Sequence, residues 1–281
     1  MNSVIIGILL ANWLTCDPAF RGPSLQAVPA DHASDQKASS IVTPVFTEAT
    51  YRVTRPRDIA RGRLKAVNEE IKSVAFGSAF SIRSGDRLLL VTAAHVVRPP
   101  SQIESVTSSD GTQYDTKDGN TIELISVRTR IGGVSARPSK MLVDGAMDVA
   151  LIELNPQDLR SIGIATLTAG TTKRGAELDL WGFPAITRPG RNGRPLPPAP
   201  SASQVSQRTR VTDVREGEVI CAPLNGVETR GGFSGGPIVD PSSDAVVGMI
   251  MRSTPETTRC RSIAEIQELA KTFEAKALPV P

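Results

Sequence analysis

Three cysteines, two histidines, two tyrosines and two tryptophans in 281 residues leave little room for several kinds of chemistry. Cys16, Cys221 and Cys260 show neither CxxC pairing nor neighbouring histidines, so the sequence offers no tetrahedral zinc site. There is no GxxxxGK[ST] loop, which excludes the usual phosphate cradle of nucleotide hydrolases. No motif calls for a cofactor. The chain also lacks an excess of charge of one sign: 32 Lys and Arg stand against 29 Asp and Glu, and Arg188, Arg191 and Arg194 cluster only in a proline-rich stretch. With no basic face or stripe, nucleic-acid binding is not expected. His32 lies in a polar stretch without apolar periodicity, which leaves His95 as the one histidine well placed for catalysis.

A run long enough to cross a membrane is missing as well. Val4 to Leu14 (VIIGILLANWL) has the length of a signal peptide and falls short of the ~20 residues of a span. It predicts export to a periplasmic or extracellular location, although no Lys or Arg precedes it and Asn12 interrupts it. Cys16 is a candidate for lipoprotein acylation, but Trp13-Leu14-Thr15 lacks the small residues of that signal. Residues 1–16 are read as an apolar leader. Residues 17–72 are read as a flexible or weakly structured leader, because Asp17 to about Thr50 is rich in Ala, Ser, Pro and Asp without a sustained period.

What is present is an ordinary globular composition, 40% apolar and 22% charged. From Ser73 onward, short apolar or alternating runs are separated by Gly, Ser, Asp and Asn. SVAFGSAFSIR and RLLLVTAAHVV flank Ser84-Gly85-Asp86, a hairpin turn, and TIELISVR, MDVALIEL, ELDLWGFP, QVSQRTRV, GEVICAPL, GPIVD and AVVGMIMRS follow. So many strands with no helical pattern between them predict an all-β chain of barrels or a sandwich. Ile263, Ile266, Leu269, Ala270 and Phe273 recur at helical steps after Ser262, a candidate N-cap, and predict a terminal helix packed on the second half of the fold. Pro184 to Pro200 is too proline-rich for a regular ladder and is read as a long surface loop.

Acyl transfer by a serine needs a hydroxyl against a base, an acid that orients the base, and backbone donors for the oxyanion. GGFSGGP (Gly231 to Pro237) surrounds Ser234 with glycines, allowing a turn that aims the N–H groups of Gly232 and Ser234 at one point. His95 closes the apolar strand LLLVTAAHVV. Asp148 opens DVALIEL, where a carboxylate must be paired or hydrogen-bonded, and His95 is its natural partner.

TAAH at 92–95, DVAL at 148–151 and SGGP at 234–237, in that order and at suitable separations, resemble the three signature blocks of the trypsin and chymotrypsin superfamily. The resemblance covers about Ser73 to Ala277, and GSAF, LWGFP and VVGMI resemble further strands of its bacterial members. It implies two six-stranded antiparallel barrels, at about 73–155 and 161–260, with a C-terminal helix at about 262–277. It also implies a serine endopeptidase acting on proteins or peptides, with His95, Asp148 and Ser234 as catalytic triad and Gly232 and Ser234 as oxyanion hole.

Phe233 stands where digestive members carry an aspartate that pairs with a newly cut N-terminus, so activation by N-terminal insertion is not expected and the support of the oxyanion loop is left open. Glu228, six residues before Ser234, is a candidate for the carboxylate that binds Lys or Arg of a substrate, or a solvated loop residue that Arg230 or Arg252 neutralises. Ser253 is a candidate pocket wall. Cys221 and Cys260 are a candidate disulfide, or two buried thiols. Two rivals are weighed: a catalytically inactive relative acting as a protein-binding module, and an esterase, whose usual Ser, Asp, His order and GxSxG elbow are not matched.

Overall fold

Period-two alternation builds most of this chain. The computed structural model describes residues 41–55, 69–99, 103–107, 112–132, 138–186, 199–201, 203–224 and 231–279. The apolar leader, Cys16, His32, the three clustered arginines, Glu228 and Arg230 lie outside the described residues.

The strands are β1 (Thr43–Thr54), β2 (Glu69–Ser84), β3 (Arg87–Ala93), β4 (Ser105–Thr107), β5 (Gln113–Asp115), β6 (Thr121–Ile131), β7 (Pro138–Asp144), β8 (Val149–Leu154) and β9 (Thr166–Leu167). They continue as β10 (Glu177–Gly182), β11 (Ala185–Ile186), β12 (Ala199–Pro200), β13 (Val205–Arg215), β14 (Glu218–Pro223), β15 (Pro237–Asp240), β16 (Ala245–Ser253), β17 (Thr258–Ser262) and β18 (Leu278–Pro279). The helices are α1 (Ala94–Val97), α2 (Pro156–Ile162), α3 (Ile263–Lys271) and α4 (Phe273–Lys276).

β10-β13-β14-β17-β16-β15 form a closed six-stranded barrel. Its core is Leu178, Leu180, Val211, Val219, Ile238 and Ile250, with Phe233 inserted from the loop before β15. The other large sheet runs β18-β7-β8-β3-β2-β1-β6, with β9 paired to β2 in parallel. Of the two expected barrels one is closed, and the other sheet is a half-barrel that does not close among the described residues. At one edge of this sheet β7 pairs with Leu278 and Pro279 through Met141 and Lys140, so the C-terminal segment covers part of that edge.

Two compact units emerge. The smaller takes residues 49–73 and 100–127 as far as they are described, with Tyr51, Val53, Ile71, Val106, Tyr114 and Ile122 as its core; burial pushes the Tyr51 hydroxyl up to about 12. The larger holds most of the described chain, including every residue of the candidate site.

Within residues 17–72, β1 is a regular strand where a weakly structured leader was expected, because Thr43, Val45, Thr47, Ala49, Tyr51 and Val53 alternate inward; residues 17–40 and 56–68 lie outside the described residues. Three of those six are Thr or Ala, which hid the period in a count of large apolar residues. The terminal helix forms where expected. The Ser262 hydroxyl accepts the Glu265 N–H at 3.4 Å, and Ile263, Ile266, Leu269 and Ala270 are buried on a face that meets β16 and β17. The proline-rich segment is partly corrected: Ala185 and Ile186 pair with Pro200 and Ala199, since only the prolines lack a donor. No helix among the described residues is long and apolar enough to cross a membrane.

Candidate active site

β3 runs directly into α1, where His95 stands two residues beyond the end of the strand with its side chain 37% exposed. Asp148 sits in the turn from β7 to β8, with φ of 55°, a left-handed conformation that short polar side chains tolerate. The turn is braced on both sides. The Asp144 carboxylate accepts the N–H groups of Ala146 and Met147 at 3.0 Å each, and Arg261 donates from Nε to the Met147 carbonyl at 3.3 Å.

From this position Asp148 holds the base at three points. Its carbonyl accepts the Ala94 N–H at 3.1 Å, and its Oδ1 accepts the His95 backbone N–H at 3.1 Å. Oδ2 and Oδ1 then lie 2.9 and 3.1 Å from the ring Nδ1. An ionised carboxylate only accepts, so neutral His95 carries its proton on Nδ1 and presents the lone pair of Nε2 outward. That is the tautomer a general base requires.

Ser234 lies in the loop between β14 and β15, three residues before β15. Its carbonyl accepts the Ser78 N–H at 2.8 Å, tying it to β2. A Cβ on Gly77 would stand 2.5 Å from the Ser234 carbonyl oxygen and 2.7 Å from Val96 Cγ2, so only a glycine separates the Ser234 backbone from the helix carrying His95. The Ser234 hydroxyl donates to the Met251 carbonyl at 3.3 Å and makes no hydrogen bond to His95. Catalytic contacts of unliganded enzymes are often loose in this way.

The residues before Ser234 form a cradle for negative charge. The Gly231 carbonyl accepts the Ala185 N–H at 2.6 Å, the Gly232 carbonyl accepts the Ser78 hydroxyl at 2.8 Å, and the Phe233 carbonyl accepts the Gly236 N–H at 2.8 Å. A peptide N–H points opposite to its C=O, so these anchors fix the aim of the N–H groups of Gly232 and Ser234. Among the described residues neither N–H has an acceptor. Gly232 has φ of 96°, and a Cβ there would stand 2.1 Å from the Phe183 carbonyl oxygen, so no other residue fits.

The question left open at Phe233 has a structural answer: its ring is 4% exposed and joins the barrel core, and burying a Phe is worth about 1.5–3 kcal/mol. Burial thus anchors the loop where digestive enzymes use an ion pair.

Ser253 faces Thr258 across β16 and β17, with their hydroxyl oxygens 3.2 Å apart. Arg252 is exposed beside it. The candidate disulfide is not formed: Cys221 and Cys260 are free, buried thiols. Cys221 pairs in register with Thr258 and Cys260 with Val219, so the cysteines are diagonal neighbours. Their side chains nevertheless meet, and the contact with Cys260 lowers the pKa of the Cys221 thiol. Burial pushes the Cys260 thiol well up. Among the described residues no three His, Cys, Asp or Glu side chains gather as metal ligands.

Sequence reasoning passed over Met251, Arg261 and Ser78. For Ser78 a sign was present: a hydroxyl inside the apolar stretch VAFGSAF has to find a partner, and that partner is the oxyanion loop.

A barrel whose entering loop carries a serine behind glycines, beside a histidine held by an aspartate, defines a peptidase of the trypsin-like class. The chain belongs to the trypsin-like peptidase domain family, whose model matches residues 77–249. Among solved structures it is similar to the Rv3671c protease from M. tuberculosis in its active form, at 17% identity over 95% of this chain and 96% of that one, with a TM-score of 0.45. The inactive form of the Rv3671c protease matches at 14% identity over 90% and 98%, with a TM-score of 0.47. No curated protein sequence matches the chain.

Proposed function

We propose that this protein is a serine endopeptidase that cleaves protein or peptide substrates through an acyl-enzyme intermediate. The observation that carries the reading is the three-point hold of Asp148 on His95, which leaves Nε2 as an acceptor. In this mechanism Ser234 turns from the Met251 carbonyl to Nε2 of His95, and its Oγ attacks the scissile carbonyl carbon as Nε2 takes the hydroxyl proton. The carbonyl π electrons move onto oxygen, and the resulting anion accepts from the N–H groups of Gly232 and Ser234; one such donor supplies on the order of 3 kcal/mol. Protonated His95 then gives its proton to the leaving amine as the C–N bond breaks. Water, deprotonated by the same nitrogen, hydrolyses the ester and restores Ser234. Glu228 and Ser253 are the candidate substrate-binding residues, and the run from Val4 to Leu14 supports a periplasmic or extracellular setting.

Incubation with an unfolded protein, followed by mass spectrometry of new termini, tests the endopeptidase reading. Cleavage at internal bonds is expected. No cleavage by folded protein would contradict the reading and leave an inactive relative that binds proteins.

A further inference from the structure

Ser78 is 0% exposed, in a stretch of β2 whose next four residues, Ala79 to Ile82, are also buried. A hydroxyl in such a place must be hydrogen-bonded. It is bonded twice, and both partners belong to the oxyanion loop and its support: Oγ donates to the Gly232 carbonyl at 2.8 Å and accepts the Phe183 N–H at 3.0 Å. The main chain of Ser78 adds two further ties, donating to the Ser234 carbonyl at 2.8 Å and accepting the Thr92 hydroxyl at 2.8 Å. One residue of the half-barrel thus grips both Gly232 and Ser234, together with the Phe183 backbone against which Gly232 is pressed.

We infer that Ser78 is a positioning residue for the oxyanion hole, its hydroxyl holding the Gly232–Phe233 peptide that joins the two donor-bearing peptides on either side, so that the Gly232 and Ser234 N–H groups stay aimed at the reacting oxygen. The inference rests on the proposed role of Gly232 and Ser234 as oxyanion donors. The physical need for such a lock is plain. Gly231 and Gly232 have no Cβ to restrict their rotation; the Ala185 N–H holds the Gly231 carbonyl and burial holds Phe233, which leaves the Gly232 carbonyl between them to the Ser78 hydroxyl. Without the hydroxyl, the Gly232 carbonyl has no donor, and the Gly232–Phe233 peptide can turn to seek another, loosening the flanking peptides that carry the Gly232 and Ser234 N–H groups.

The test compares wild type, Ser78→Ala and Ser78→Cys. Peptide hydrolysis, thermal melting and amide hydrogen exchange at Phe183 and Gly232 are measured on each. Ser78→Ala is expected to lower kcat about 10- to 100-fold, less than the loss of a donor itself, with KM within about twofold. Its melting temperature should fall by only a few degrees, and the Phe183 amide should exchange faster. Ser78→Cys, a similar shape with a weaker donor, should fall between. An unchanged kcat, or a rate that falls only in proportion to the folded fraction, would overturn the inference. If wild type itself cleaves nothing, the peptidase reading fails separately. The exchange data then decide the role of Ser78: faster exchange in Ser78→Ala upholds the anchoring of the loop, and unchanged exchange refutes it.

Discussion

Replacing Ser234 with alanine is expected to lower kcat by about 10⁶-fold while the protein folds as before. The hydroxyl contributes one 3.3 Å hydrogen bond to the Met251 carbonyl, so its removal costs less than about 1 kcal/mol of stability. The carbonyl at position 234 keeps its bond from Ser78, and the backbone N–H at that position survives, so the loop and both oxyanion donors persist. What disappears is the nucleophile. The residual rate, ~10³–10⁴ above water, is that of a site which still binds and polarises the substrate. Steady-state kinetics on an internally quenched peptide, beside a melting curve, separates this outcome from unfolding. A loss below a hundredfold would mean that another group attacks the carbonyl.

Asp148→Asn isolates the orientation of the base. Asparagine suits the φ of 55° as well as aspartate does, so the turn before β8 is expected to hold. Its amide oxygen can keep the bond from the His95 backbone N–H that Oδ1 accepts now. The NH2 group then faces Nδ1 and donates to it, which forces Nδ1 to accept and moves the ring proton to Nε2. A histidine in that tautomer cannot take a proton from Ser234. The expected result is a kcat lowered by ~10⁴-fold with a melting temperature within a few degrees of wild type. A loss of less than tenfold would show that the carboxylate does not set the tautomer.

The candidate site was more legible in the sequence than the sheet that carries it. His95, Asp148 and Ser234 stand in short blocks that are readable in the sequence by their own composition, and the glycines around Ser234 are demanded by close backbone approach. Gly232 illustrates this, because no side chain fits 2.1 Å from the Phe183 oxygen. Pairing beyond the hairpins is not local. Whether β7 meets another strand or the tail at Leu278 depends on residues far apart in the chain, and the second of the two expected barrels is a half-barrel among the described residues. The choice between a bridge and two buried thiols at Cys221 and Cys260 was open for a related reason, since the two-residue offset between their strands is not written in either strand alone, and the thiols are free. β1 was missed because Thr and Ala fill half of its inward positions. Ser78 was read only as part of a strand, since its partners at Gly232 and Phe183 are joined to it by the fold and not by the chain.

The central claim is that Ser234 is an activated nucleophile, and labelling with a fluorophosphonate probe tests it most directly. Purified wild-type protein and Ser234→Ala are treated in parallel, and the adduct is located by peptide mass spectrometry. One adduct, on Ser234 of the wild type and absent from the variant, is the predicted result. No adduct on folded wild-type protein, or an adduct at another residue that persists in Ser234→Ala, would contradict the account.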